Sequence, residues 1–118
     1  MQGNEVTTTN LGNYAWYYDN SSNKTHEVGK KLPNGYGLYD MHGNVFEWCW
    51  DWHGTYPNEN KANYAGPDSG SSRILRGGNW YYFAESCASS YRNGYYPYGS
   101  DFPISGVKGN LGFRLTCP

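Results

Sequence analysis

The chain has 118 residues, with 9 Lys and Arg against 10 Asp and Glu, which gives a formal net charge of −1 at pH 7. That length suits one small domain and leaves no room for two independent cores. The near-neutral charge gives no electrostatic reason to expect a nucleic acid partner, and no stretch approaches the roughly 18 apolar residues of a membrane span.

Aromatic residues dominate the composition. They make up 19% of the chain, with 13 Tyr and 5 Trp, beside 16 Gly. Disordered chains are poor in aromatic residues, so the mean hydropathy of −0.85 does not indicate an unfolded chain. The composition predicts a loop-rich domain of short strands and ordered turns, in which aromatic rings supply the buried area.

The amino-terminal third carries few strong structural signals. Residues 1–11 are polar and predict a flexible leader ahead of a single domain over 12–118. They lack the charged and apolar regions of a signal peptide, which we therefore do not expect. Residues 25–29 form a candidate short strand, and the Pro-Asn-Gly of residues 33–35 predicts a turn.

The clearest strand spans residues 45–52, because its side chains alternate with a period of two. One face carries four aromatic residues, which are Phe46, Trp48, Trp50 and Trp52. They could form a stacking surface for a ligand or the core. We expect core for most of them, with Trp52 as the exception. A polar loop over 54–72 separates this strand from a second over 73–78, and the last strand is predicted at 111–115.

The segment of residues 79–110 shows little periodicity, and long loops of this kind are usually functional. It is rich in Tyr, Ser, Gly, Asn and Asp, the residue types that antibody paratopes use. Exposed loops of this composition predict a binding surface, although Tyr-rich loops also occur without such a role. The candidate ligand-binding residues are Asn79, Tyr81, Tyr82, Phe83, Ser89, Tyr91, Asn93, Tyr95, Tyr96, Tyr98, Ser100 and Asp101.

Cysteines and histidines give no motif of their own. Cys49, Cys87 and Cys117 allow one disulfide in three possible pairings. Their spacing matches neither a zinc ribbon nor a thioredoxin-like site. The three histidines are isolated and fit no metal-binding spacing.

Three ordered blocks carry a family signature: the GLYDMHGNVFEW run ending at residue 48, the Arg-Gly-Gly-Asn-Trp of residues 76–80, and the Gly-Phe-Arg of residues 112–114. From about residue 12 onward the chain resembles the formylglycine-generating-enzyme (sulfatase-modifying factor) family. The resemblance implies an α+β, loop-rich, C-type lectin-like fold with a small twisted antiparallel sheet. It also implies that the amino-terminal half of the usual family domain is reduced here.

The resemblance leads to two expectations about bound metal ions, one for copper and one for calcium. The family's enzymes hold Cu(I) through two cysteines five residues apart. Cys87 matches the second, but Tyr82 stands at the first and Asn79 at the position of an active-site Ser. Since Cu(I) needs soft thiolates, we expect no copper and no catalytic residue; Cys87 would act only in a diverged oxidase or a fragment of one. Otherwise Cys87 is structural, or paired with Cys117.

The family also binds structural calcium, and the matching ligands are the side chains of Asp40 and Glu47 with the carbonyls of Gly43 and Val45. Ca²⁺ takes about six to eight hard oxygen ligands, which such a turn can supply. The alternative is that Asp40 caps a turn and Glu47 pairs with Arg114 or Arg76.

Within the same fold, the Tyr-rich segment is similar to the variable proteins of diversity-generating retroelements. Their variable stretch also lies between the Arg-Gly-Gly and Gly-Phe-Arg blocks. We therefore expect a non-catalytic binding module for a protein or glycan ligand. Homodimerisation is a further expectation, because exposed strands or apolar patches need cover. The cysteines leave the compartment open, with a cell-surface, secreted or phage-associated location favoured.

Overall fold

The computed structural model describes residues 5–95 and 109–116. Its elements are a 3-10 helix (Leu11–Asn13), β1 (Ala15–Trp16), β2 (His42–Gly43), β3 (Phe46–Trp52), β4 (Arg73–Arg76), a second 3-10 helix (Ala84–Cys87), β5 (Asn93–Tyr95) and β6 (Leu111–Gly112). The predicted loop-rich architecture is confirmed. The candidate strand at residues 25–29 is wrong, since the backbone there is irregular and ends in a turn.

The main sheet has four strands in the order β5-β4-β3-β6. The predicted antiparallel pairing holds for β3 with β4 and for β4 with β5. β6 lies parallel to β3, which makes the sheet mixed. A separate parallel pair joins β1 to β2. Gly43 is required in that pair, because its φ is +77° and a Cβ there would lie 2.3 Å from the Trp16 carbonyl oxygen.

The register of β3 on β4 shifts between Trp48 and Trp52. This irregularity breaks the period-two pattern and leaves Trp50 84% exposed. Of the four aromatic residues on this face, Trp50 is therefore the one that lies outside the core. The expectation that Trp52 would be the exception is corrected. Trp52 is half-buried, with the Arg73 guanidinium 3.5 Å from its ring centroid.

Two small hydrophobic clusters form the core. In the first, Phe46 and Leu75 are fully buried, and five partly buried side chains pack on them, which are Trp48, Tyr82, Tyr91, Tyr95 and Leu111. The rings thus supply much of the buried area, as the composition predicts. The second cluster joins Leu11, Ala15 and Cys87, with Val6 packed against it. The division of the chain after residue 11 stays a prediction, although Leu11 and Val6 contact this cluster.

Candidate functional site

The 79–95 part of the Tyr-rich segment forms one side of an open cleft with a volume of about 460 Å³. The cleft is lined by Tyr18, Tyr81, Tyr82, Phe83, Glu85, Ser86 and Tyr91. We call this set the aromatic cleft. It brings together four of the predicted ligand-binding residues and adds Tyr18, Glu85 and Ser86, which the sequence analysis did not select.

The deeper side of the aromatic cleft is built on the core. The ring of Tyr82 meets Phe46 edge-to-face, with centroids 5.3 Å apart. Tyr91 lies nearly parallel to Phe46 at 6.2 Å. Burial raises the pKa of Tyr91. Because Phe46 is 0% exposed, these two rings are fixed by packing and form a rigid base for the cleft.

The outer side of the aromatic cleft presents aromatic rings to solvent. Phe83 is 62% exposed and Tyr18 is 45% exposed, and their ring centroids lie 4.7 Å apart. Tyr81 packs edge-on against Tyr18 at 6.2 Å. The backbone N–H of Tyr18 donates to the carbonyl of Tyr82 over 3.0 Å, which holds the two distant segments together.

Asn79 lies beneath this surface, which corrects its assignment to the ligand-contacting set. It is fully buried, and its Oδ1 accepts hydrogen bonds of 2.9 Å from the backbone N–H groups of Tyr81 and Tyr82. The side chain shapes the turn that carries the aromatic residues, as Asn commonly does two residues ahead of a backbone donor. Its role in the structure is to position the cleft.

Three other predicted contact residues that the structure describes, Ser89, Asn93 and Tyr95, do not line the aromatic cleft. Ser89 is exposed, and its carbonyl accepts a hydrogen bond from Arg76. Asn93 and Tyr95 lie in β5 at the edge of the sheet, where Tyr95 pairs with Arg73. The predicted residues Tyr96, Tyr98, Ser100 and Asp101 lie outside the described residues.

Cys87 is a buried thiol. It is 2% exposed and packs with Leu11 and Ala15, and burial raises its pKa to about 11. The thiol is therefore protonated at neutral pH, whereas a metal ligand or nucleophile is the thiolate. Within residues 5–95 and 109–116 neither Cys49 nor Cys87 forms a disulfide. The suggested partner Cys117 lies outside the described residues.

The four predicted calcium ligands line a second cleft of about 500 Å³, which we call the carboxylate pocket. Glu47 accepts two hydrogen bonds from Arg114, of 2.7 Å from Nε and 2.6 Å from Nη2. These bonds raise the pKa of Arg114. Arg114 also donates to the backbone carbonyls of Tyr39 and Asp40, at 3.0 and 2.8 Å. The pairing of Glu47 with Arg114 is thus present, as one alternative from the sequence predicts.

Asp40 provides an orphan acceptor in the carboxylate pocket. Its Oδ2 accepts a 2.7 Å hydrogen bond from the N–H of Gly29, whereas Oδ1 is buried and has no partner in the described part of the chain. A buried oxygen without a donor is costly, and a cation would satisfy it. Among those same residues no three His, Cys, Asp or Glu side chains group as a metal site. A calcium ion here would therefore depend on the carbonyls of Gly43 and Val45.

No helix in the part of the chain that the structure describes is long and apolar enough to cross a membrane. A family model described as "Sulfatase-modifying factor enzyme 1-like domain" matches residues 1–117.

Solved structures and curated relatives agree with that match. Treponema denticola variable protein 1 superposes with a TM-score of 0.78 at 48% identity, over 93% of this chain and 38% of that one. PvdO from Pseudomonas aeruginosa gives a TM-score of 0.60 at 33% identity, over 82% and 38%. The formylglycine-generating enzyme of Thermomonospora curvata is 41% identical over 60% of this chain and 23% of its own length. The chain thus spans less than a quarter of that enzyme.

Proposed function

Because this chain belongs to the sulfatase-modifying factor enzyme 1-like family, whose model matches residues 1–117, we propose that it uses the family scaffold as a non-catalytic ligand-binding module. The aromatic cleft is its contact surface. The observation that carries the proposal is the arrangement of rings there. Phe83 and Tyr18 are exposed at 62% and 45%, while Tyr82 beneath them packs on the buried Phe46.

Such a layered arrangement suits recognition. Exposed aromatic side chains offer a large contact area with few rotatable bonds, so little conformational entropy is lost on binding. The deeper rings are already held by core packing, and Asn79 fixes the turn that carries Tyr81 and Tyr82. Phe83 and Tyr81 are both in contact with Tyr18, and contiguous exposed apolar side chains are typical of binding sites.

The residues at the two positions that match the family's copper-binding cysteines support a non-catalytic role. The residue at the first copper-ligand position is Tyr82, whose ring packs against Phe46, and a phenol does not replace a thiolate for Cu(I). The alternative of a diverged oxidase, or a fragment of one, rests on Cys87 alone. Stoichiometric Cu(I) binding that disappears in Cys87→Ser would overturn the proposal in favour of that alternative.

The binding surface is also proposed to be a diversified one. The similarity to a variable protein at 48% identity supports this, as does the Tyr, Ser and Asn content of residues 79–102. Sequencing the encoding locus tests it. A neighbouring reverse transcriptase with a template repeat of this segment is expected, and its absence would contradict diversification without affecting the binding proposal.

Calcium is proposed as a structural ion in the carboxylate pocket. The side chains of Asp40 and Glu47 and the carbonyls of Gly43 and Val45 would hold it, and its charge would satisfy the buried Asp40 Oδ1. Glu47 would then share its carboxylate between the ion and Arg114. The ion would join the segment before β3 to Glu47 in β3, and so stabilise the scaffold that carries the aromatic cleft.

Selection of peptides from a displayed random library tests the binding function. Peptides that bind the unmodified protein are expected to lose most of their binding to Phe83→Ala and Tyr18→Ala. Tyr36→Ala is the matched control, because Tyr36 is 86% exposed and lies outside the aromatic cleft. Selected peptides that bind both cleft variants as well as the unmodified protein would contradict the assignment of the cleft.

A further inference from the structure

The charge of the aromatic cleft restricts what it can bind. Of the seven described residues that line it, five are aromatic, one is Ser86, and one is Glu85. Glu85 is exposed and, among the residues that the structure describes, its carboxylate forms no ion pair. None of the described residues that line the cleft is a Lys, Arg or His. It therefore presents π-electron faces and one uncompensated negative charge.

The same protein pairs its cations with aromatic rings elsewhere. Lys31 Nζ lies 3.9 Å from the ring centroid of Trp16, and the Arg92 guanidinium lies 4.3 Å from that of Tyr56. Arg73 stacks over Trp52 at 3.5 Å. In the described part of the chain, the rings of the aromatic cleft have no such partner of their own. The exposed outer rings, Phe83 and Tyr18, can therefore receive a cation from another molecule.

The geometry suits a single cation with an apolar stem. A cation gains from an aromatic face when it lies within about 6 Å of the ring centroid. The centroids of Phe83 and Tyr81 lie 4.7 and 6.2 Å from that of Tyr18. One cation near Tyr18 can therefore contact a second ring, and Glu85, which lines the same cleft, supplies the opposite charge. An anionic group would be repelled by the Glu85 carboxylate and by the negative faces of the rings.

We infer that the aromatic cleft receives a lysine or arginine side chain of a protein partner. This inference rests on the proposed binding function and names the chemistry of the partner at that site. Charge complementarity selects the guanidinium or ammonium head, and the volume of about 460 Å³ accommodates the whole side chain.

Two peptides of the same shape test the inference: Gly-Gly-Arg-Gly-Gly with blocked termini, and the same peptide with citrulline, the neutral isostere, in place of Arg. Affinities are measured by NMR titration of the unmodified protein. We expect the arginine peptide to bind about three- to tenfold more tightly than the citrulline peptide. Glu85→Gln should remove most of that difference. Glu59→Gln, a matched change in the 54–72 loop, should leave it unchanged.

The outcomes separate this inference from the proposed function. Equal affinity for the two peptides, or a preference that Glu85→Gln leaves intact, overturns the inference. If the peptides selected from the random library depend on Phe83 but carry no basic residue, the inference also fails while the binding function stands. If the library yields only peptides that are indifferent to the cleft variants, both fail.

Discussion

Replacing an aromatic residue by Ala should lower the stability of the protein more on the deeper side of the aromatic cleft than on its outer side. Replacing a fully buried aromatic residue by Ala costs about 3–5 kcal/mol of unfolding free energy. Tyr82 is half-buried, with its ring 5.3 Å from the fully buried Phe46, so Tyr82→Ala should cost about 2 kcal/mol. Phe83 keeps 62% of its surface exposed, and Phe83→Ala should cost less than about 1 kcal/mol.

Thermal unfolding followed by near-ultraviolet circular dichroism measures this difference. For a domain of this size about 2 kcal/mol corresponds to a fall in Tm of about 6–12 °C, whereas Phe83→Ala should change the Tm by only a few degrees. Urea unfolding provides an independent value. Equal losses for the two variants would refute the division into a core-packed base and an exposed outer side. A large loss for Phe83→Ala alone would show that this ring belongs to the core.

Three further variants or additions test other parts of the account. Ca²⁺ added after EDTA treatment should raise the Tm, because a ligand at 100 times its Kd stabilises the folded state by about 2.7 kcal/mol. Asp40→Asn should abolish this rise. No rise in the unmodified protein would exclude the calcium ion. In calcium-free buffer Arg114→Gln should lower the free energy of unfolding by about 1–3 kcal/mol, because Glu47 loses both hydrogen bonds from Arg114. An unchanged Tm would show that this ion pair contributes little to stability. Gly78→Ala should lower the free energy of unfolding by more than about 2 kcal/mol, because φ is +75° at this residue and the new Cβ would lie 2.8 Å from the Cys87 Sγ. A variant as stable as the unmodified protein would contradict this packing.

Local patterns predict the central strand and the aromatic core. The period-two alternation over residues 45–52 corresponds to β3, Phe46–Trp52. The shortage of aliphatic residues requires rings in the core, where Tyr82 and Tyr91 surround Phe46. The shifted register of β3 on β4 depends on how β4 pairs across a long loop, which no local pattern records. For that reason Trp50 and not Trp52 is the exposed ring.

The cleft depends on contacts between distant segments. Tyr18 reaches Phe83 only because the backbones of residues 18 and 82 are hydrogen-bonded. The aromatic run of residues 14–18 is the one sequence signal that could have identified it. Composition alone also cannot distinguish Asn79, a buried residue that shapes a turn, from an exposed Asn that contacts a ligand.

The carboxylate pocket illustrates a second limit of sequence reasoning. Both alternatives for Glu47 are consistent with the same motif, and only the three-dimensional arrangement brings Arg114 from beyond β6 to within 2.6 Å of it. The orphan Oδ1 of Asp40 has no sequence signature at all. The backbone of Asp40 also has a φ of +53°, a left-handed conformation that is uncommon for residues other than Gly.

Mapping the contact surface of one selected peptide by NMR tests the binding account most directly. The largest amide shifts on titration are expected at Tyr18, at residues 81–86 and at Tyr91, which line the aromatic cleft. Shifts concentrated on the exposed Trp50 or in the 54–72 loop, with the cleft residues unmoved, would contradict it.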